Sequence, residues 1–261
     1  MKQKIAQVKI KTPLDLVTAC EPLCNCWFRG HGSNKWKLQT TLERDAETFG
    51  VPRKNLFERE NTILGLFQER AHLYIPNFKT PKSKFEWHAL IRHHGGPSRL
   101  FDVSSSYLVA AYFALCDSKP KQDAEIWAFK EPIAQASAVD LDNLFATTGE
   151  PDIKIVKPGQ LNARMNSQSG NFFVPGSLER PLEEQISTKF ETDLKSKATN
   201  YNSVRQVEKQ IHHKIWRIVI PRSAHSELFR FISRCNVRGY SLFPGLDGLA
   251  MSLREMMRAY E

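Results

Sequence analysis

The segment from His93 to Asp117 constrains the fold more than any other part of the chain, and it reads HHGGPSRLFDVSSSYLVAAYFALCD. Two glycines and a proline break a preceding helix, and the apolar residues after them can form a strand. Three serines then offer side-chain oxygens to cap a helix whose alanines permit close packing on a sheet. The exposed N–H groups at such a helix start suit a phosphate or a carboxamide, although capping alone explains the serines equally well.

The rest of the chain also mixes strands with helices. Residues 23–30, LCNCWFRG, predict a buried strand that ends in a turn at the glycine. Further strands are predicted at 124–130 and 215–221, and apolar residues at helical spacing predict helices at 55–75 and 85–94. Because the chain has no regular strand-helix-strand repeat, we expect one mixed α+β domain over residues 1–261.

Other segments complete the expected organisation of this domain. Residues 178–202 are charged and poor in large apolar side chains, which predicts a mobile insertion. The remaining expectations are a loop with a short helix at 131–157, a turn, short strand and turn at 162–176, a helix at 227–237, a turn and short strand at 238–244, and a terminal helix at 246–261.

Charge narrows the class of partner. The chain has 37 Lys+Arg against 28 Asp+Glu, a net charge of +9, which favours polyanions such as nucleic acids. The cations are dispersed, so a solvated basic surface is the alternative. With no apolar stretch typical of a membrane span or signal peptide, we expect a soluble, cytoplasmic protein. Five sparse cysteines favour reduced thiols, and we expect no bound metal.

Several familiar catalytic motifs are absent: the P-loop, G-x-G-x-x-G, H-E-x-x-H and G-x-S-x-G. The candidates that remain are His93 or His94 for acid-base chemistry and Arg29 at a strand end. A buried arginine needs a carboxylate, carbonyls or a phosphate, so Arg29 is either an anion clamp or the partner of Asp102.

Four motifs in order along the chain resemble the FRG domain, a bacterial and phage-associated family. They are WFRG at 27–30 with the W-x-L continuation from Trp36, HHGGPSRLFDVSSSYLVAAYFAL at 93–115, NARMNSQSGNFFV at 162–174 and GYSLFPGLDGLAMSL at 239–253. The chain departs from the family pattern at Thr40, where proline is usual, and at Val103, where tryptophan is usual. The loss of the tryptophan would reshape a pocket wall.

The layout of this family resembles that of ADP-ribosyltransferases, which implies a split, mainly antiparallel sheet with flanking helices and NAD as co-substrate. By this resemblance, NAD would be bound by Arg29, Gly30, His31, Arg99, Ser104, Ser105, Ser106 and Tyr107, with Tyr107 or Phe113 enclosing the nicotinamide. Catalysis would rest on Arg29, His94, Asp102 and Gln168. Gln168 stands where such enzymes usually place a glutamate, and Glu183 and Glu184 are further candidates for that role.

The resemblance implies an NAD-dependent ADP-ribosyltransferase toxin of antiphage defence, restrained by a protein antitoxin. Together with the positive charge it favours a nucleic-acid acceptor, RNA rather than DNA. One alternative is a non-catalytic nucleic-acid-binding module with stacking by Trp27, Trp36 and Trp87. A second is a metal-independent nuclease using His94 and Asp102. In a third, Arg29, Asp102 and Gln168 only tie three strands together.

Overall fold

The computed structural model describes residues 2–74, 79–118, 121–130, 143–145, 152–156 and 166–257. The strands are β1 Gln3–Lys4, β2 Ala6–Lys9, β3 Trp27–His31, β4 Phe101–Ser104, β5 Ala124–Phe129, β6 Ile153–Val156, β7 Gly170–Pro175, β8 Thr192–Asp193, β9 Thr199–Tyr201 and β10 Ile215–Ile220. The α-helices are α1 Pro13–Cys20, α2 Thr41–Thr48, α3 Leu56–Arg70, α4 Lys84–His93, α5 Tyr107–Cys116, α6 Leu182–Lys189, α7 Gln206–Lys209, α8 His225–Arg234, α9 Gly239–Leu242 and α10 Leu246–Met256.

The large sheet has the strand order β6-β7-β4-β3-β5-β10-β2-β9. Every pair from β6 to β10 is antiparallel, whereas β2 runs parallel to both β10 and β9. The short strands β1 and β8 form a separate parallel pair. This mixture of helices with a mostly antiparallel open sheet confirms the predicted α+β class.

The sheet is nearly split between β3 and β4. These strands pair at one position only, Phe28 with Ser104, whereas β3 pairs with β5 at five positions. Because Phe28 comes early in β3 and Ser104 ends β4, the two strands part on one side of this bridge. The gap there is the main irregularity in the sheet.

Helix α5 fixes one face of the sheet by lying directly over β3. Its buried residues, among them Val109, Ala110 and Ala114, join the largest apolar cluster, to which α1 and α8 also contribute. A Cβ atom added at Gly30 would lie 1.9 Å from the carbonyl oxygen of Ala110. The glycine therefore lets the helix backbone approach the strand.

The opposite face carries a second core rich in phenylalanine, with Phe101, Phe129, Phe173 and Phe190 in mutual contact. Residues 178–202, for which the sequence predicts a mobile insertion, contribute to this core through α6. Leu182, Ile186 and Phe190 are all buried there. The segment has few apolar residues, but most of them face the sheet, so the segment contributes to the domain core. Its mobility stays a prediction.

The structure corrects some element boundaries. β3 starts at Trp27 and continues through Gly30 to His31, so the glycine does not end the strand. Residues 239–242 form a short helix where a turn and strand were expected. The expected loop at 131–157 lies mostly outside the described residues, but its end forms β6. Residues 157–165, which include the start of the predicted 162–176 turn, also lie outside them.

None of the described helices is long and apolar enough to cross a membrane.

Gly30→Ala should lower the free energy of unfolding by about 3 kcal/mol or more, because the new methyl group would meet helix backbone. The matched control is Gly65→Ala in α3, where a Cβ would meet nothing within 4 Å. That change should raise stability by about 0.5–1 kcal/mol through helix propensity. Urea unfolding of both variants measures the two effects, and equal stabilities would contradict the close approach of α5 to β3.

Candidate functional site

A cleft opens where β3 and β4 part. It encloses about 850 Å³, counted to its open mouth. Its walls come from β3, β4, α4, α5 and the start of β7. The cleft therefore brings together parts of the chain that are far apart in sequence.

A cluster of two arginines and one aspartate lies in this cleft. Arg29 Nη1 donates to the backbone oxygen of Asp102 at 3.0 Å and to its Oδ2 at 3.2 Å. Arg92 donates to the same Oδ2 through Nε at 2.9 Å and Nη2 at 2.6 Å. The predicted Arg29–Asp102 ion pair is confirmed, and the second guanidinium leaves the cluster with a net positive charge.

The surroundings of the cluster shift the pKa values of Asp102 and Arg29. Burial raises the pKa of the Asp102 carboxyl, but the charges of Arg92 and Arg29 outweigh burial, so this pKa lies below its ordinary value. Burial lowers the pKa of the Arg29 guanidinium, and the Asp102 charge opposes that effect. Arginine nevertheless keeps its proton at neutral pH. The cluster thus holds a carboxylate between two cations.

Two buried polar atoms of cleft residues have no hydrogen-bond partner within the described part of the chain. They are Nε of Arg29, a donor, and Oδ1 of Asn171, an acceptor. An unpaired buried polar group costs about 1–3 kcal/mol unless water or a ligand meets it. Both atoms are covered by protein, so the site holds an unmet donor and an unmet acceptor beneath its surface.

The serine turn holds the segment that carries Gln168. Ser104 Oγ donates to the backbone oxygen of Gln168 at 2.8 Å and accepts from the Ser106 N–H at 3.0 Å. Ser106 caps α5, as predicted, by accepting from the N–H of Val109. Gln168 Nε2 donates to the backbone oxygen of Leu242 at 3.1 Å. Ser104 thus acts on Gln168 through its backbone and fixes where this amide side chain enters the cleft.

Ser169, between Gln168 and β7, has a φ of 46°. This left-handed conformation is uncommon for a residue with a side chain. It is supported by two contacts to the Ser169 oxygen, from the Ser105 N–H at 3.2 Å and from Asn171 Nδ2 at 3.1 Å. The turn that presents Gln168 is therefore held from both the serine turn and β7.

The structure brings some predicted site residues together and places others elsewhere. Arg29, Gly30, Asp102, Ser104, Gln168 and Phe113 line the cleft. Arg99 is completely buried away from it, where it is paired with Glu60 and donates to the Leu144 oxygen at 3.1 Å. Glu183 accepts from the N–H of Leu38 at 2.9 Å and, with Glu184, lines a different surface hollow. These three residues are thus placed outside the predicted site.

The two predicted histidines also lie off the cleft wall. His31 is buried with Nδ1 3.5 Å from Glu125 Oε1, and burial lowers the pKa of its imidazole. His94 follows the last turn of α4, whereas its neighbour His93 lines the cleft. Since Asp102 is bound to two arginines and His94 is not at the wall, the pair required by the nuclease alternative is not assembled there.

The aromatic residues of the binding-module alternative are mostly unavailable for stacking. Trp27 and Trp87 are buried in the core, whereas Trp36 keeps 37% of its surface exposed. Tyr107 packs edge-on against Phe28, with ring centroids 6.1 Å apart, and is not at the cleft wall. Ser105 is exposed and Ser106 is used as a cap. Phe113 is therefore the predicted aromatic residue that faces the cleft.

Sequence reasoning missed Arg92 and Asn171, whereas His93, one of the two candidates for acid-base chemistry, does line the cleft. Arg92 lies in the last turn of α4, and its position just before the two histidines and the glycine pair was the available signal. Asn171 is a polar residue inside an apolar strand, a pattern that itself calls for a partner. Within the described ranges, no group of three or more His, Cys, Asp or Glu residues could hold a metal ion.

Asp102→Asn should lower the free energy of unfolding by about 1–3 kcal/mol, because two guanidinium groups lose the charge that holds them together. The matched control is Asp117→Asn, an exposed carboxylate at the same cleft, for which we expect a change within about 0.5 kcal/mol. Thermal and urea unfolding measure both. Equal stability of the two variants would contradict the role of Asp102 as the link between β4 and the arginines.

A comparison with protein families matches part of the chain. Residues 24–123 match the FRG domain, which supports assignment to the FRG family for the part of the chain that holds β3, α4, β4 and α5. No curated protein matches the chain. No solved structure matches it either.

Proposed function

From the FRG match as a premise, we propose that the chain is an NAD-dependent ADP-ribosyltransferase that modifies nucleic acid, with RNA as the favoured acceptor. We further propose that it serves as a toxin of antiphage defence and is restrained by a protein antitoxin. The reaction class and the biological setting rest on the resemblance stated above. The observations below support the reaction class.

The observation that carries the proposal is the convergence of three separate motifs on one cleft. Arg29 lies on β3, Ser104 ends β4, and Gln168 precedes β7, and these three strands are neighbours in the sheet. The ADP-ribosyltransferase layout requires an arginine, a serine and a late glutamate or glutamine at one site. A core network alone would not need an open cleft among them.

The chemistry of the walls fits NAD. The two phosphates of NAD are anionic, and Arg29 and Arg92 outnumber the carboxylate between them. About a fifth of the Arg29 side chain and a fifth of the Arg92 side chain are exposed, and both guanidinium groups can donate to phosphate oxygens. Phe113 offers a ring at the wall for a planar group.

In the proposed reaction, the bond between ribose C1′ of NAD and the nicotinamide nitrogen would break, and nicotinamide would leave with the electron pair. The acceptor would form a bond to C1′ and lose a proton. Two cleft residues, Gln168 and His93, have proposed roles in this reaction. Gln168 is neutral and can orient a ribose hydroxyl, but it cannot take the proton. His93 at the wall is the base that the geometry favours in place of His94.

The test is incubation of the full chain with NAD labelled in its adenylate part, together with separate pools of RNA, DNA and protein. We expect label in RNA and release of nicotinamide. Arg29→Ala should reduce both at least about 100-fold, the order of loss expected when one charge-stabilising group is removed. Arg29→Lys should restore little, because a lysine lacks the forked donors of arginine.

The matched control is Arg230→Ala, which removes an exposed arginine from α8, a helix that does not line the cleft. Its activity should equal that of the unaltered protein. If no pool is labelled and no nicotinamide is released, the transferase proposal is wrong. Activity in Arg29→Ala equal to that of Arg230→Ala would also contradict the assigned cleft.

A further inference from the structure

Five residues form one row across the sheet, ending at the cleft. Successive strand partners are Asn200 with Gln7, Gln7 with Arg217, Arg217 with Trp127, and Trp127 with Arg29. Directly paired residues point to the same face of a sheet, so these side chains form a continuous line. With about 4.8 Å between strands, the row is roughly 19 Å long.

A groove lies over the far part of this row. Gln7, Trp127, Asn200 and Arg217 line it, so it shares four of the five row residues. It encloses about 1,040 Å³, counted to its wide mouth. The groove is thus on the same sheet face as the Arg29 side chain, and it shares no lining residue with the cleft.

The groove has an aromatic platform. Trp36 lines it with 37% of its surface exposed. Its ring meets that of His31 edge-on at 6.0 Å, so the orientation of the indole is supported from below. An exposed, supported indole at the side of a polar groove is suited to stacking with an unpaired base.

The groove also carries positive charge. Arg217 is held by the buried carboxylate of Glu125 and the backbone oxygen of Asn34, with a quarter of its side chain exposed. Lys35 and Lys197 also line the groove, and neither has an ion pair among the residues that the structure describes. These two lysines are available to meet phosphates.

The acidic groups near the groove do not cancel this charge. Glu183 at its wall accepts from the neutral N–H of Leu38 and keeps its negative charge, so one carboxylate faces the two lysines and the excess is positive. Lys37, a fourth cation at the wall, is paired with Glu47 at 2.9 Å. Lys35 and Lys197 therefore remain as the cations that a polyanion would engage without displacing a partner.

We propose that a single strand of RNA binds in this groove, with a base on Trp36 and phosphates at Lys35 and Lys197. The amides of Gln7 and Asn200, which already hydrogen bond each other at 2.7 Å, offer polar contacts along the path. The further statement that RNA bound here is the acceptor of the transfer rests on the proposed function. Binding in the groove does not.

The experiment measures binding of a fluorescent single-stranded RNA of about 12 nucleotides to the full chain without NAD, by anisotropy at several salt concentrations. Trp36→Ala should weaken binding roughly tenfold. The double variant Lys35→Ala with Lys197→Ala should weaken it and reduce the salt slope by about 1.4, since each phosphate that a lysine no longer neutralises lowers the slope by about 0.7. Matched melting temperatures verify folding.

The control is Arg230→Ala with Arg234→Ala, which removes two exposed charges from α8 on the opposite face. It should keep the affinity within about twofold. Loss of affinity in this control equal to that of the lysine variant would show dispersed charge binding and overturn the groove. Unchanged binding by Trp36→Ala would overturn it as well. Tighter binding of DNA of the same sequence would overturn the choice of RNA.

Arg29→Ala separates the two proposals, because it should bind RNA within about twofold of the unaltered protein while losing ADP-ribosyl transfer. RNA binding that needs Trp36, without transfer by the unaltered protein, would establish the groove and refute the proposed function. Transfer that proceeds equally in the groove variants would refute the groove as the acceptor site and leave the proposed function standing.

Discussion

The hydrogen bond from Arg29 to the backbone of Asp102 is the interaction on which the site depends. Where β3 and β4 part, their backbone groups lose ladder partners that buried strands normally supply. Arg29 supplies one of them by donating to the Asp102 oxygen at 3.0 Å. The sheet can therefore open into a cleft while its two halves remain tied, and the side chain that ties them lies in the cleft wall.

Three consecutive residues make different contacts where β3 and β4 part: Phe28, Arg29 and Gly30. Phe28 makes the single bridge to Ser104, Arg29 reaches Asp102 across the gap, and Gly30 lets α5 approach the strand from the other face. Each needs its own residue type for a different physical reason: an apolar contact, a charged donor and the absence of a Cβ atom. A short motif can therefore specify both the opening of the sheet and the position of the helix beside it.

Sequence reasoning found what local pattern determines and missed what distant partners determine. The α4, α5 and β10 elements and the Arg29–Asp102 pair follow from periodicity and from the need of a buried arginine for a partner. Arg99 has the same need, and nothing local shows that Glu60 on α3 meets it. For 178–202, averaged composition concealed that Leu182, Ile186 and Phe190 share one buried face.

The charge of the cluster couples the stability of the sheet junction to the binding of an anionic ligand. Without Asp102, Arg29 and Arg92 would repel each other, and with it the site keeps one positive charge in excess. A bound anion would add the negative charge that the second guanidinium lacks. Anything that binds the folded chain alone stabilises it by mass action. An anionic ligand should therefore tighten the junction between β3 and β4, because it completes the same cluster that holds the two halves of the sheet together.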